Sequence, residues 1–272
     1  MRERKMSKKI FKQKKNVVFL CLGIVVAIVL LSVAIVSGIA KKNVNAMNHC
    51  VDSVLAKLKE NYTVTPLEVG DYKEMKMYGL MKFHVEQYDI EELGNLSIMR
   101  VNMGVMQMAT VVITPQDKNM PLLSADYMYI LSNRKCYLEF YDVVKEKDEQ
   151  YQDLLTALSD VQTKYDYLEN VETTPAWYEH LLTVTSYKGG TSEKDMDLEN
   201  MLVDSLSVYT QHAKALPVLS EEEREEKRTI TLEYTDGLIA KGGISTDVFK
   251  KELGEEETKK FFDTVFFGTM MP

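Results

Sequence analysis

The sequence is poor in the residues that crosslink small domains or bind metal ions. It has three cysteines and four histidines in 272 residues. The histidines are far apart in the chain, at His49, His84, His180 and His212. None has a partner at metal-ligand spacing, so no metal site is predicted. The sequence also lacks the glycine-rich strand-to-helix turn of nucleotide-binding proteins, because Gly189-Gly190 and Gly242-Gly243 follow no such pattern and are typical of loops or helix ends.

The cysteines leave two alternatives open. Cys21 lies in an apolar run, so only Cys50 and Cys136 remain for a disulfide in the rest of the chain. Sequence alone does not place their Cα atoms within bridging distance, and two unpaired thiols fit equally well. A domain of about 230 residues can bury a core without a disulfide.

The longest apolar run, residues 17–40, contains no charged residue. At 1.5 Å of helix rise per residue it is long enough to cross a hydrocarbon core of about 30 Å. Eight Lys or Arg residues precede it, so the positive-inside rule predicts a cytoplasmic N-terminus at 1–16 and an extracytoplasmic remainder. We expect a single-pass protein of the cell membrane, with a short linker at 41–46. A cleaved signal peptide is the alternative, although the run is longer than the usual apolar region of such a peptide.

The predicted extracytoplasmic part is strongly acidic. Removing the ten basic residues and one acidic residue of positions 1–42 from the totals of 33 and 41 leaves 23 basic and 40 acidic residues. The net charge is then about −17. Such a field repels phosphate backbones and anionic lipid surfaces, so neither nucleic acid nor peripheral lipid docking is expected.

Apolar periodicity divides this part into a strand-rich half and a helical half. An amphipathic helix is predicted over Met47–Leu58, because apolar residues recur there at spacings of three and four. Strands rich in Val, Ile, Tyr, Phe and Met are then predicted near 75–89, 97–103, 105–114, 125–131 and 135–143. Short breaks separate them at Gly94-Asn95, 115–119 and 132–134. Such breaks are typical of hairpins, so an antiparallel meander is expected.

The second half has a helical period. Helices are predicted over 151–165 and 198–209, from Ser220 to Ala240 with a Ser220–Glu223 capping box, and in two short pieces over 245–267. The pattern predicts one α+β domain over residues 47–268, an antiparallel sheet whose faces are covered by helices.

Two stretches resemble a known family. The first is Met120-Pro121-Leu122-Leu123-Ser124-Ala125-Asp126, followed by the strand that ends Tyr137-Leu138-Glu139-Phe140-Tyr141-Asp142. The second runs from Val248-Phe249-Lys250-Lys251-Glu252-Leu253-Gly254-Glu255-Glu256 through Lys260-Phe261-Phe262 to Val265-Phe266-Phe267. Both are similar to ferredoxin-dependent bilin reductases, which reduce biliverdin to phycobilins. The resemblance covers residues 47–268 and implies an α/β/α sandwich with a central antiparallel sheet.

The resemblance implies a role for Asp126. In the family, the aspartate at this position points into the tetrapyrrole pocket and supplies protons. Burial beside an apolar macrocycle raises a carboxyl pKa, which suits a general acid. The alternative interpretation is an ordinary aspartate at a strand edge, bonded to backbone N–H groups.

The sequence departs from the family elsewhere. Residues 108–113 contain no histidine, and Gly242-Gly243 stands where the family has an Asn-Asp pair. Asp236 and Asp247 are the nearby carboxyls that a neighbouring turn could bring to the site. Acidic ferredoxins would be repelled by an acidic domain, so the electron donor is unknown.

The predicted ligand is a noncovalently bound tetrapyrrole, a bilin or a haem. Met108, Thr110 and Met128 on the strands around Asp126 are the predicted ligand-binding residues, and the thioethers of the two methionines suit a large planar ring. Ordinary core filling by methionine is the alternative. Whether the domain is an oxidoreductase stays open. The rival hypothesis is a non-catalytic envelope module that binds another protein or a cell-surface component.

Overall fold

The structure is a computed structural model that describes residues 2–270 and the side chains of residues 29–243 and 246–270. The helices are α1 (Arg2–Lys59), α2 (Glu149–Thr163), α3 (Asp195–Ala215), α4 (Glu221–Lys241), α5 (Ile244–Leu253) and α6 (Glu255–Phe261). The strands are β1 (Val64–Leu67), β2 (Glu74–Met77), β3 (Met81–Ile90), β4 (Gly94–Asn102), β5 (Met106–Pro115), β6 (Leu122–Ile130), β7 (Asn133–Tyr141), β8 (Glu169–Asn170) and β9 (Leu182–Thr191).

All nine strands form one antiparallel sheet in the order β1-β3-β4-β5-β6-β7-β9-β8, with β2 paired to β3. Strands β3 to β7 follow one another through the short connections 91–93, 103–105, 116–121 and 131–132. The predicted meander is therefore confirmed.

Each face of the sheet is covered by helices. Side chains alternate between the two faces along each strand, so apolar side chains on both faces have to be buried. On one face, α1, α2 and α3 pack on a core that includes Tyr127, Leu138 and Phe140. On the other face, α4, α5, α6 and the short turn after α6 pack on a second core. The predicted fold class, an α+β sandwich of helices around a central antiparallel sheet, is confirmed.

Helix α1 is continuous from the apolar run into the domain. Among the described residues, the stretch Val29–Lys59 is apolar and long enough to cross a membrane by length and composition. Its first part is largely exposed, whereas Met47, Val51 and Val54 are buried against the sheet. Residues 41–46, predicted as a short linker, are helical in the structure, and Asn43 is buried. The segment has no Gly or Pro to end the helix.

Candidate functional site

Asp126 lies in the middle of β6, on the face that α4 to α6 cover. Its direct cross-strand partner on β5 is Thr110, whose hydroxyl donates a hydrogen bond to Asp126 Oδ1. Thr110 is buried and Asp126 is partly exposed. The carboxyl group is thus held by one defined donor while part of it stays accessible.

The other two predicted ligand-binding residues lie beside this pair. Met108 and Met128 are direct cross-strand partners, two residues along β5 and β6 from Thr110 and Asp126. Because residues two apart on a strand share a face, all four side chains point to the same side of the sheet. Both methionines are partly exposed. The structure therefore brings together the residues predicted from the sequence, and whether they bind a ligand stays a prediction.

The environment of Asp126 changes its acidity. Burial raises the pKa of the Asp126 carboxyl to about 6, the hydrogen bond from Thr110 opposes this rise, and the negative charge of Glu139 adds to it. The usual value for an aspartate is about 3.9. Near pH 6 this carboxyl can therefore both donate and accept a proton, as a general acid must.

Glu139 and a set of tyrosines extend the site. Glu139 lies on β7, diagonal to Asp126 on the same face, since Ser124 faces Glu139 and Asp126 faces Tyr137. The Tyr187 hydroxyl donates to Glu139 Oε1 at 2.9 Å, and the Tyr141 hydroxyl donates to Glu139 Oε2. These residues were missed as site residues. Their signal is the alternation of polar and apolar residues along β7, which places Tyr137, Glu139 and Tyr141 on one face.

An aromatic wall closes one side of this face. Tyr178 packs edge-on to Tyr234 of α4 with ring centroids 5.8 Å apart, and both rings contact Tyr141. Burial raises the pKa of Tyr178 and Tyr234, and the negative charges of Glu139 and Asp126 add to the rise for both. The wall therefore consists of neutral phenols close to two carboxyl groups.

Trp177 joins this wall to α4. Its indole Nε1 donates to the Gly242 carbonyl at 3.0 Å, and its ring lies against Gly237. A Cβ at Gly237 would lie 2.3 Å from the Trp177 ring carbon Cη2. The helix thus needs glycine here for the close approach of the indole.

We expect Gly237→Ala to move Trp177, because its ring cannot stay 2.3 Å from a methyl group. Better helix propensity offsets part of the loss, so the net destabilisation should be about 1 kcal/mol. Trp177 is the single tryptophan of the chain, and its emission should shift to longer wavelength as the ring gains exposure. Glu233→Ala at an exposed position of the same helix is the control. An unchanged emission spectrum in Gly237→Ala would contradict the packing described.

The two alternative carboxyls lie elsewhere. Asp236 is exposed and forms an ion pair with Lys259. Asp247 is exposed and lies near Gly242. Both lie on helices, Asp236 on α4 and Asp247 on α5, so neither takes the place of Asp126 on the sheet face.

Cys50 and Cys136 are both buried and unpaired. Burial raises the pKa of both thiols, that of Cys136 to about 12. They are therefore protonated and poorly nucleophilic. Within residues 29–243 and 246–270, no group of three or more His, Cys, Asp or Glu side chains is arranged to hold a metal ion.

Two cavities lie away from Asp126. One of about 310 Å³ lies between α1 and strands β2 to β4, and one of about 160 Å³ lies near the ends of α2 and α3. Neither is lined by Asp126, Glu139 or the two methionines. The candidate site is therefore the partly exposed face of β5, β6, β7 and β9 itself.

Comparison with known proteins supports the fold. No protein-family model matches the sequence, and no curated protein matches it. The structure is similar to the crystal structure of phytochromobilin synthase from tomato in complex with biliverdin, with a TM-score of 0.63 and 10% sequence identity. The match covers 79% of this chain and 82% of the synthase chain. The synthase is a ferredoxin-dependent bilin reductase, so the fold resemblance seen in the sequence is confirmed.

Proposed function

We propose that the sheet face around Asp126 binds a tetrapyrrole, a bilin or a haem, and that Asp126 is its polar anchor and proton donor. The observation that carries this proposal is a carboxyl with a pKa of about 6, held by Thr110 on a partly exposed face. The same fold binds biliverdin in the synthase from tomato.

The side chains present suit such a ligand. A tetrapyrrole has an apolar ring system, pyrrole nitrogens at its centre and carboxylate side chains. Met108, Met128 and the tyrosines offer soft apolar and aromatic contacts, and Asp126 offers a hydrogen bond to pyrrole N–H groups. Lys135, the cross-strand partner of Met128, is an exposed cation beside the same face and suits a ligand carboxylate.

Proton supply follows from the acidity of Asp126. Below its pKa the neutral carboxyl donates a hydrogen bond or a proton to the ligand, and above it the carboxylate accepts one. Reduction of a bilin also consumes electrons, which these side chains do not supply. An oxidoreductase activity would therefore need a separate electron donor, and binding is the first property to test.

The proposal includes attachment to a membrane. The apolar run at 17–40 would cross the bilayer as part of α1, with the basic residues of 1–16 in the cytoplasm and the domain outside it. The length and composition of the helix support the attachment. Labelling of single introduced cysteines at either end, in intact cells, tests the orientation.

The test is an absorbance titration of the full-length protein in detergent with biliverdin and then with haem. We expect a saturable spectral change that depends on pH between about pH 5 and pH 7, because Asp126 changes charge in that range. Asp126→Asn should bind roughly 10-fold more weakly and lose the pH dependence, since an amide does not titrate. Asp236→Asn, which removes an exposed carboxyl, should behave like the native protein.

Two results would count against the proposal. If neither pigment changes its spectrum at tens of micromolar protein, the face does not bind tetrapyrroles, and the non-catalytic envelope module becomes the better hypothesis. If both aspartate variants bind as the native protein does, the ligand lies elsewhere.

A further inference from the structure

The end of the sheet nearest the apolar helix carries exposed apolar side chains. Leu80 is 80% exposed, Val105 is 50% exposed, and Tyr78 and Leu131 are 42% and 41% exposed. They lie in three turns, 78–80 between β2 and β3, 103–105 between β4 and β5, and 131–132 between β6 and β7. These turns are called the hairpin tips below. Soluble surfaces rarely gather large apolar side chains at turns, where polar residues and glycine are preferred.

The hairpin tips lie at one end of the sheet. In an antiparallel meander every second turn falls at the same end, which places these three together. A backbone hydrogen bond from Leu131 N to Val105 O, 3.2 Å long, joins two of the tips directly. The four side chains therefore belong to one surface.

This surface adjoins α1. Asn43 Nδ2 donates to the Leu131 carbonyl at 3.0 Å, and Asn43 is three residues beyond the apolar run that ends at Ala40. Three residues of helix rise about 5 Å. Because α1 is continuous there, the distance between the apolar run and the hairpin tips is fixed by the fold. A headgroup layer is about 5–8 Å thick, so the tips lie at its depth when the run crosses the bilayer.

The backbone of the tips also favours a role for these side chains. Tyr78 and Leu131 have positive φ angles of 48° and 52°. Glycine or asparagine adopts this conformation more easily than a large apolar residue. Leu131 is thus placed where neither turn geometry nor the core requires its side chain, whereas the Tyr78 ring also contacts α5, with Lys251 Nζ 5.1 Å from the ring centroid.

Charge at this end differs from the average of the domain. Lys76 and Lys82 face each other across β2 and β3 beside the first tip, and Lys41 and Lys42 lie on α1. The nearby acidic Asp195 forms an ion pair with Arg134. Acidic side chains are also present beside the first tip, since Glu252 accepts a hydrogen bond from Tyr78 N and Glu74 pairs with His84. This end therefore has charges of both signs beside its apolar side chains, whereas the domain as a whole is strongly acidic.

We propose that the three hairpin tips insert into the headgroup region of the bilayer that α1 enters. The domain then has one fixed orientation relative to the membrane and does not rotate freely about a flexible linker. Tyr and Lys beside aliphatic side chains are suited to this layer, which is apolar on one side and wet on the other. The inference rests on the proposed membrane attachment and is independent of tetrapyrrole binding.

The test introduces one tryptophan at a time into the full-length chain, reconstituted in phosphatidylcholine vesicles with or without brominated acyl chains. Leu80→Trp and Val105→Trp report on the tips. Val218→Trp is the matched control, because Val218 is also exposed and its neighbour Leu219 bonds to Asp117 in the β5–β6 connection at the opposite end of the sheet. The native protein gives the contribution of Trp177.

Brominated lipid should quench the added emission of Leu80→Trp and Val105→Trp several-fold more strongly than that of Val218→Trp. Equal, weak quenching at all three positions would overturn the proposal. Blue-shifted emission at the tips without quenching would also overturn it, since protein and not lipid would then cover them. Flotation of the chain with the vesicles is checked first, because a chain that does not float lacks the attachment itself.

Discussion

The Lys227→Met protein is expected to unfold more easily than the native protein by about 2–4 kcal/mol. Lys227 of α4 is fully buried, and its amine donates to the Met120 carbonyl at 2.8 Å and to the Val143 carbonyl at 2.9 Å. Met120 precedes β6 and Val143 follows β7, the strands that carry Asp126 and Glu139. Methionine fills the space but leaves both carbonyls without their donor, and each buried unsatisfied carbonyl costs about 1–3 kcal/mol.

The same substitution should remove a pH dependence. Burial lowers the pKa of Lys227 to about 7, and the negative charge of Asp142 opposes this. The unfolded chain holds the proton up to about pH 10.4. Between these values the unfolded state binds more protons, so native stability rises with pH from about 7 upward. The Lys227→Met protein lacks this contribution, so the difference between the two proteins should grow as pH rises.

Chemical unfolding in detergent, followed by Trp177 emission at about pH 6, 7 and 9, measures both effects. Lys214→Met, at an exposed position of α3, is the control and should change stability by less than about 0.5 kcal/mol. Lys227→Ala should lose more than Lys227→Met, because it also leaves a cavity. A Lys227→Met protein as stable as the native one at every pH would show that water or a backbone shift satisfies the two carbonyls.

Much of the fold was predictable from the sequence, because apolar residues recur at regular spacings in most of its helices and strands. The helices α2 and α3 were predicted because apolar residues recur every three or four positions, and α4 was predicted from its capping box. The capping box of Ser220 and Glu223 is present at the start of α4. Strands β3, β5, β6 and β7 were predicted from runs of β-branched and aromatic residues. In each of these segments local propensity agrees with the burial that the fold imposes.

Strand β9 was not predicted, because apolar alternation does not continue through its second half, which contains Gly189 and Gly190. Gly189 was interpreted as a loop residue, yet it lies within β9 opposite Lys135. A Cβ there would lie 2.9 Å from the Arg134 carbonyl. The glycine permits close approach of two strands, and a single sequence does not distinguish this from a turn.

The site was predictable only in part. Asp126 was identified through a resemblance, and Met108, Thr110 and Met128 through their strand positions. Alternation along β7 could also have identified Glu139. The aromatic wall could not be found this way, because Tyr178 and Tyr234 are far apart in sequence and meet only when α4 packs on the sheet.

Gly94-Asn95 is a pair of residues that favours turns, yet it lies in a strand. The pair was predicted as a break, but it begins β4 and faces Pro115 and Thr114 of β5. The Asn95 amide donates to the carbonyls of Val265 and Phe266, and its Oδ1 accepts a hydrogen bond from Gln87. The asparagine thus fixes the C-terminal segment to the sheet, a long-range role that local sequence does not reveal.

Gly94→Ala is accordingly expected to destabilise the protein by about 3–5 kcal/mol. Gly94 has φ of 135°, and a Cβ there would lie 2.5 Å from the Thr114 carbonyl oxygen and 2.6 Å from Gln116 N. Both are backbone atoms, so relief requires a shift of the strand end itself. Gly70→Ala is the matched control, because Gly70 has φ of 56° with nothing within 4 Å of its Cβ position. It should lose about 1–2 kcal/mol from backbone strain alone.

Unfolding curves of the two variants separate the steric clash of a Cβ at Gly94 from the backbone strain that both variants share. Hydrogen exchange should also show faster exchange at Phe267 N–H in Gly94→Ala, because displaced Asn95 releases the segment whose Phe267 N–H bonds to the Phe262 carbonyl. If both variants lose equal stability and hydrogen exchange at the Phe267 N–H stays slow, the end of β5 moves aside without a loss of folding free energy. The close contact at Gly94 would then contribute nothing to holding the C-terminal segment on the sheet face that carries Asp126.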